Sequence, residues 1–275
     1  MQVVDRHGWV EGMTIRAFGR EVGFRADAPG IMERLSEVMP PGWARSDRVE
    51  VRRLYSLRLG GMPGHRPGTI RRHVLFMNAR SIYRSHDFRS VLDHMESDLQ
   101  LYLAERASRR IFVHAGVVGY AGKAIVLPGR TLTGKTTLVE ELLRLGATYY
   151  SDEYAVFSEA GRVYPFAKPL SVREKRGHGR PIRRDPSQYH AEVGSKPLPV
   201  GLVVLTRYRP GVTFRPRRMT NGKAILALLE NTVPARRRPK KSFRTLERVV
   251  SNAPVLRGSR GDAHQAAEAI LRRLE

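Results

Sequence analysis

Short runs of alternating apolar and polar residues, separated by Gly and Pro, occupy the first third of the chain. Alternation with a period of two is typical of strands that bury one face. The pattern therefore predicts strands at MTIRAFG (13–19), EVGFRAD (21–27) and LYSLRLGG (54–61). It predicts a further hairpin from HVLFMN (73–78) and SIYRS (81–85).

Two helices are predicted in the same part. PGIMERLSEVM (29–39) has helical spacing and ends before a Pro pair, and residues 87–108 have apolar positions at steps of three and four. The Gly- and Pro-rich segment 60–69 predicts a loop. We therefore expect a smaller α+β domain over residues 1–108, including a joining helix, and a second domain over 109–275.

Residues 109–275 alternate between short apolar runs and amphipathic segments, which is typical of an α/β domain. Two basic segments interrupt the pattern: 174–192, for which we predict a long mobile loop, and 235–241, for which we predict a connector. No element is predicted for residues 252–261. The predicted strands are 111–120, 123–129, 147–152, 154–157, 161–166 and 200–209, and the predicted helices are 136–145, 221–233, 242–251 and 262–274.

The segment from Gly129 to Thr136 fits the pattern G-x-x-x-x-G-K-[ST] of a P-loop, or Walker A motif. Its two glycines allow successive backbone N–H groups to point at one anion, and the N-terminus of the following helix adds positive charge. The lysine reaches the outer phosphates, and the final hydroxyl can bind Mg²⁺. The predicted nucleotide-binding residues are Gly129, Arg130, Thr131, Thr133, Gly134, Lys135, Thr136 and Thr137.

An acidic pair, Asp152 and Glu153, follows Lys135 after one helix and one strand, and Asp152 stands 17 residues after that lysine. The next buried strand, GLVVLT, ends without an acid. The pair is therefore expected beside the phosphate cradle, where one carboxylate can hold Mg²⁺ and the other can accept a proton from an attacking hydroxyl. A surface turn is the alternative. His114, on the strand before the loop, can adjust the charge of a neighbouring acid.

Composition narrows the classes of protein. No run of eighteen apolar residues is present, so no membrane partner is expected. Cysteine is absent and the N-terminus has no signal pattern, which indicates a cytoplasmic protein. The formal net charge is +23, which indicates either an Arg-rich composition spread over a solvated surface or a preference for nucleotides, acidic peptides or nucleic acid. Nucleic acid is the least expected of these, because the basic segment 236–241 lacks interleaved aromatic residues.

The order of motifs, H-A-G, then G-x-x-x-x-G-K-T-T, L-x-R-L-G and S-D-E, resembles the catalytic domain of HPr kinase/phosphorylase. It is most similar to the HPr kinase-related proteins associated with peptide modification, over about residues 111–271. The resemblance implies a P-loop kinase fold related to phosphoenolpyruvate carboxykinase, the cofactors ATP and Mg²⁺, and phosphorylation of a serine hydroxyl. It implies that Asp152 is the base, that His114 supports it, and that Thr136 and Glu153 bind Mg²⁺.

The sequence also departs from that family. Thr131 stands where the family has serine, and Arg130 adds a charge that the family lacks. The glycine-rich signature of the reverse reaction is not evident, so the sequence does not predict phosphorylase activity. The first domain does not match the N-terminal domain of that family, so HPr is not the expected acceptor. The expected acceptor is a different serine-bearing, acidic peptide or small protein. The resemblance also implies a homo-oligomer. A nucleotide-binding regulatory module with little catalysis remains the alternative.

Overall fold

A computed structural model describes residues 8–61, 72–129, 133–172 and 182–274. The chain divides into two compact units, Met1–Ser108 and Arg109–Glu275. Most of the predicted loop at 60–69 lies outside the described residues.

The first unit is a mixed sheet with two helices. Its described strands follow the order β3-β1-β2-β4-β5-β6, in which β2 and β4 are parallel and the other neighbours are antiparallel. The strands and helices predicted here are confirmed, and the short strand β3 is an addition. The elements are β1 Glu11–Ala17, β2 Arg20–Ala26, α1 Ile31–Leu35, β3 Ala44–Ser46, β4 Leu54–Arg58, β5 His73–Met77, β6 Arg80–Ser85 and α2 Phe88–Arg106.

The long helix α2 closes the core of this unit. Asp87 caps its first turn by accepting from the N–H of Arg89 at 2.9 Å, which satisfies one of the free donors at a helix N-terminus. The apolar positions at steps of three and four are buried, as predicted, and pack with strand residues such as Phe24 and Tyr55. These helix residues are Val91, Leu92, Met95, Leu99 and Leu103.

The second unit contains an eight-stranded sheet in its described part, with the order β11-β10-β7-β8-β14-β16-β15 and with β9 also paired to β7. A separate pair, β12 and β13, lies off this sheet. The elements are β7 Ile111–Tyr120, β8 Lys123–Pro128, α3 Lys135–Arg144, β9 Thr148–Ser151, β10 Tyr154–Phe157, β11 Val163–Tyr164, β12 Leu170–Val172, β13 Ile182–Arg184, β14 Val200–Tyr208, β15 Arg217–Arg218, α4 Asn221–Leu229, α5 Pro239–Asn252, β16 Val255–Arg260 and α6 Ala263–Leu271.

Three central strands, β8, β14 and β16, are parallel, and Val203 of β14 aligns with Val126 on one side and Val255 on the other. Helices cover both faces, which explains why the predicted strands there are continuous apolar runs. The carboxyl ends of these strands meet at one edge of the sheet. Ligands of open α/β sheets bind at this edge.

Three predictions for this unit are wrong. The strand β16 lies in 252–261, where no element was predicted, and it forms because its backbone pairs with β14 over a long sequence distance. The predicted loop at 174–192 contains, in its described part, β13 and a 3₁₀ helix, Pro186–Tyr189, anchored by the buried Tyr189. The predicted connector at 235–241 is partly helical, because Pro239 begins α5.

Within the described part of the chain, none of the helices has the length and apolar content needed to cross a lipid bilayer.

Candidate functional site

The glycine-rich segment begins where β8 ends. The N–H of Gly129 donates to the carbonyl oxygen of His114 at 3.1 Å, so the start of the loop is attached to β7. A Cβ on Gly129 would lie 2.7 Å from Oγ1 of Thr133, which is closer than such atoms approach. Glycine at this position therefore leaves room for the Thr133 side chain. Arg130 and Thr131 lie outside the described residues.

Gly134 ends the loop and caps α3 in the left-handed conformation, with φ of 80°. Lys135 and Thr136 are half-buried on the first turn, and Thr137 is exposed. The apolar face of α3 is buried as predicted, which fixes the direction of the helix and hence of its N-terminal N–H groups. The described part of the loop thus has the glycine positions, the lysine and the helix N-terminus that a phosphate requires.

The acidic pair lies in the tight connection between β9 and β10. Both strands pair with β7 on the side opposite β8. Oγ of Ser151 accepts from the N–H groups of Glu153 and Tyr154 at 3.1 and 2.9 Å and closes this turn. The N–H of Ala115 donates to the carbonyl oxygen of Glu153 at 3.1 Å. One strand, β7, therefore separates the acidic pair from the start of the glycine-rich loop.

Asp152 is buried, with 9% of its surface exposed, and both carboxylate oxygens have protein partners. The N–H of Ser171, on β12, donates to Oδ2 at 3.0 Å. The hydroxyl of Tyr149 lies 3.1 Å from Oδ1. Burial raises the pKa of Asp152, although these two contacts and the charge of Lys135 oppose the rise. The carboxylate is held in one orientation by its surroundings.

Glu153 differs from its neighbour because its side chain is exposed to solvent. The surrounding protein and the charge of Asp152 raise the pKa of Glu153 to about 7, and Lys135 opposes the rise. Contact with solvent on one side reduces the effect of the surrounding protein on the pKa of Glu153. A carboxyl group with a pKa near 7 is suited to exchange a proton at neutral pH.

Lys135 connects the two halves of the site. Burial lowers its pKa, while Asp152 and Glu153 raise it by their negative charge. The lysine of the loop is therefore close enough to interact electrostatically with both acids. The structure brings the predicted phosphate-binding lysine and the predicted acidic pair into one cluster.

His114 lies at the same place but contacts neither carboxylate by a hydrogen bond. Its ring is 4.9 Å from the ring of Tyr154. Burial and the charge of Lys135 lower its pKa, so the imidazole is neutral at pH 7. Its backbone is the more direct contribution, since the carbonyl oxygen of His114 accepts from Gly129.

The described residues contain no cluster of three or more His, Asp or Glu side chains that could hold a metal ion without help. Mg²⁺ usually retains several waters and binds one or two carboxylates together with substrate phosphates. The hydroxyl of Thr136 and the oxygens of Asp152 and Glu153 are donors of the required type. These residues fit a nucleotide-bound Mg²⁺ better than a permanent metal centre.

Two further groups at the site were not predicted. Tyr149 is fully buried beneath Asp152. Arg260, at the end of β16, donates from Nη2 to the carbonyl oxygen of Gly134 at 2.6 Å. The sequence does contain a signal for the strand that carries Arg260. Val255 and Leu256 are typical of a short strand, and Gly261 and Asp262 are typical of a turn and a helix N-cap. Asp262 indeed caps α6.

Four basic residues follow the acidic pair in the sequence and are of the type that holds phosphates or an acidic acceptor, but they lie outside the described residues: Arg173, Lys175, Arg176 and Arg180. In the basic segment at 236–241, Pro239 begins α5 and Lys241 pairs with Glu159.

Together the fold and the site define an α/β protein with a glycine-rich strand-to-helix loop beside a buried acidic pair. A comparison with solved structures matches the Hpr(Ser) kinase/phosphatase from Coxiella burnetii, with 12% identity over 59% of this chain and 93% of that chain and a TM-score of 0.32. No protein-family model and no curated protein matches. We therefore infer function from the geometry of the site alone.

Proposed function

We propose that the protein is an ATP-dependent serine kinase of the HPr kinase-like P-loop type, which transfers the γ-phosphoryl group to a serine hydroxyl of a peptide or small protein. One observation carries the proposal: Lys135 of the glycine-rich loop interacts with both carboxylates of the adjacent acidic pair. A phosphate-binding lysine next to two acids supplies a place for the phosphates, for Mg²⁺ and for the acceptor's proton.

Each residue has a role in this reaction. The backbone from Gly129 to Gly134 and the first turn of α3 bind and orient the phosphates, and Lys135 adds charge at the outer ones. Mg²⁺ bound with the nucleotide would neutralise the charge that develops on the phosphates. Thr136 and one acid would hold it. The other acid accepts the proton of the serine hydroxyl.

The resemblance implies that Asp152 is the base and that Glu153 binds Mg²⁺, but the contacts support the opposite assignment. Glu153 is open to an acceptor and has a pKa of about 7, which suits the base. Asp152 is buried and oriented by Ser171 and Tyr149, which suits a group that holds Mg²⁺ or positions the site. We therefore propose Glu153 as the base and Asp152 as the oriented carboxylate.

The acceptor is proposed to be acidic around its serine. The chain carries a formal charge of +23, and a strongly positive protein attracts anionic partners and increases their association rate. Increasing salt should therefore weaken the interaction with the acceptor.

The test uses labelled ATP, Mg²⁺ and an array of peptides in which serine is flanked by acidic or neutral residues. We expect label on serine peptides and none on matched alanine peptides. Asp152→Asn and Glu153→Gln should each abolish transfer while ATP affinity changes by less than about threefold, since neither is the main phosphate ligand. Transfer that survives both substitutions would contradict the proposal.

A second candidate is a nucleotide-binding regulatory module with little catalysis. It is favoured by the engagement of both Asp152 oxygens with protein donors, which leaves that carboxylate less free to react. This module would bind ATP tightly but transfer no label to any serine peptide. The same peptide array therefore distinguishes the two candidates.

A further inference from the structure

Arg260 is a charged residue in a buried position. Only 2% of its surface is exposed, whereas arginine is almost never fully buried unless it is paired. A guanidinium group keeps its proton under all ordinary conditions. Its charge must therefore be compensated by another group, or its burial lowers the stability of the protein.

The direct contacts of Arg260 are to neutral groups. Nη2 donates to the carbonyl oxygen of Gly134 at 2.6 Å, and Cζ lies 5.9 Å from the centre of the Tyr208 ring. Nε is buried and has no hydrogen-bond partner among the described residues. In the same part of the chain, Arg260 forms no ion pair with a carboxylate. The nearby Asp262 accepts from the N–H of Gln265 through Oδ1, and its charge favours the protonated guanidinium, but burial has the larger effect and lowers the pKa of Arg260.

The position makes an uncompensated cation more unfavourable. Gly134 caps α3, and a helix N-terminus carries partial positive charge. Arg260 thus places a second positive charge at the point where the helix already has one. Two positive groups in a buried place indicate that an anion binds there.

The topology places this residue at the ligand edge of the sheet. β16 is parallel to β14, which is parallel to β8. Arg260 is the last residue of β16, and Gly129 follows the last residue of β8. The two therefore stand at the same carboxyl edge, one on each side of β14.

We propose that Arg260 is a phosphate-binding residue, which reaches the glycine-rich loop from β16 and contacts the phosphate chain of the bound nucleotide. The nucleotide supplies the missing negative charge. This inference rests on the proposed function to the extent that both require a nucleotide in the loop. It adds a residue outside the loop motif, and a Cβ on residue 134, where φ of 80° already favours glycine, would lie 2.5 Å from Nη2.

The experiment compares the wild-type protein with Arg260→Met by calorimetric titration of ADP and of a non-hydrolysable ATP analogue, each with Mg²⁺ and without an acceptor. We expect the affinity of R260M to fall about 10- to 100-fold, the range for loss of charge-assisted hydrogen bonds. Without nucleotide, we expect the Tm of R260M to be equal or higher, since an uncompensated buried cation is removed. The carbonyl oxygen of Gly134 still accepts from the N–H of Leu138 at 3.2 Å.

Arg257→Met is the matched control, because Arg257 lies on the same strand but is exposed. Its affinity should stay within about twofold of wild type. A purely structural role for Arg260 predicts a lower Tm of R260M with unchanged affinity, and this result would overturn the inference. If R260M does not fold, Arg260→Lys replaces it. A several-fold loss of affinity in R260K supports the inference, and wild-type affinity overturns it.

The outcomes separate this inference from the proposed function. If the wild-type protein binds neither ADP nor the ATP analogue, both are overturned. If the wild type binds them and R260M binds them equally well, only the role of Arg260 is overturned. If R260M loses affinity but the wild type transfers no phosphate to any serine peptide, the role of Arg260 stands and the kinase proposal fails.

Discussion

The hydroxyl oxygen of Tyr149 lies 3.1 Å from Oδ1 of Asp152. It also lies 2.8 Å from the carbonyl oxygen of Lys168. A tyrosine hydroxyl has one proton and can donate to only one of these acceptors at a time. Donation to Asp152 favours the ionised carboxylate and lowers its pKa, whereas burial raises that pKa and has the larger effect. Tyr149 therefore couples the protonation of Asp152 to the packing beneath the site.

Replacement of Tyr149 by Phe tests this coupling. The substitution removes a buried donor from the Lys168 carbonyl and from Asp152, so we expect the free energy of unfolding to fall by about 1–3 kcal/mol. We also expect slower phosphoryl transfer, because Asp152 loses one of the two contacts that orient it. Urea unfolding measures the first effect, and the initial rate with a serine peptide measures the second.

Tyr150→Phe is the control for that substitution. Tyr150 is also buried, and its hydroxyl donates to the carbonyl oxygen of Lys196 at 2.8 Å, away from the acidic pair. Y150F should lower stability by a similar amount and leave the transfer rate unchanged. Equal losses of transfer in Y149F and Y150F would mean that activity follows stability and not the orientation of Asp152.

Replacement of Gly134 by Ala tests the steric relation between the loop and Arg260. Gly134 has φ of 80°, so an alanine there costs about 1–2 kcal/mol of backbone strain. Its Cβ would also displace the guanidinium of Arg260, which lies 2.5 Å away. We therefore expect G134A to lose stability and also to bind ADP at least about tenfold more weakly, as calorimetric titration would show.

The matched control is Gly146→Ala, at the other end of α3. Gly146 has φ of 88°, but no atom lies within 4 Å of its added Cβ. G146A should therefore have the same backbone strain and bind ADP like the wild-type protein. Similar ADP affinities in the two variants would exclude a role for the contact between Gly134 and Arg260.

Most of the central elements could be predicted from the sequence, because the apolar positions that produce their periodicity are the positions that the fold buries. The apolar face of α3 and the continuous runs of β8 and β14 follow directly from their covered positions. The turn that carries Asp152 and Glu153 was also predictable, since it follows a strand that ends at Ser151.

The remaining features depend on long-range pairing. The strand β16 has only Val255 and Leu256 as a continuous apolar signal, and its other residues are polar. Its existence follows from hydrogen bonds to β14, about fifty residues earlier, so local propensity could not show it. The burial of Arg260 and the contact of Asp152 with Ser171 have the same origin. The proposed exchange of roles between Asp152 and Glu153 likewise rests on tertiary contacts.

The raised pKa of Glu153 gives a prediction about stability. Its ordinary value is 4.5 and its value in the folded protein is about 7. Between these values the folded state binds more protons than the unfolded state, so stability must fall as the pH rises from about 4.5 to about 7. The contribution is fully present below 4.5 and is lost above 7. Glu153→Gln cannot titrate and should remove this part of the slope.

Urea unfolding of the wild-type protein and E153Q at a series of pH values measures the difference directly. Glu159→Gln is the control, because Lys241 lowers the pKa of Glu159 and therefore places its effect below pH 4.5 with the opposite sign. E159Q should follow the wild-type slope between pH 4.5 and 7, and E153Q should be flatter. Parallel curves for the wild type and E153Q in that window would show that Glu153 has an ordinary pKa. Its assignment as the base would then lose its electrostatic support, and Asp152 would become the better candidate.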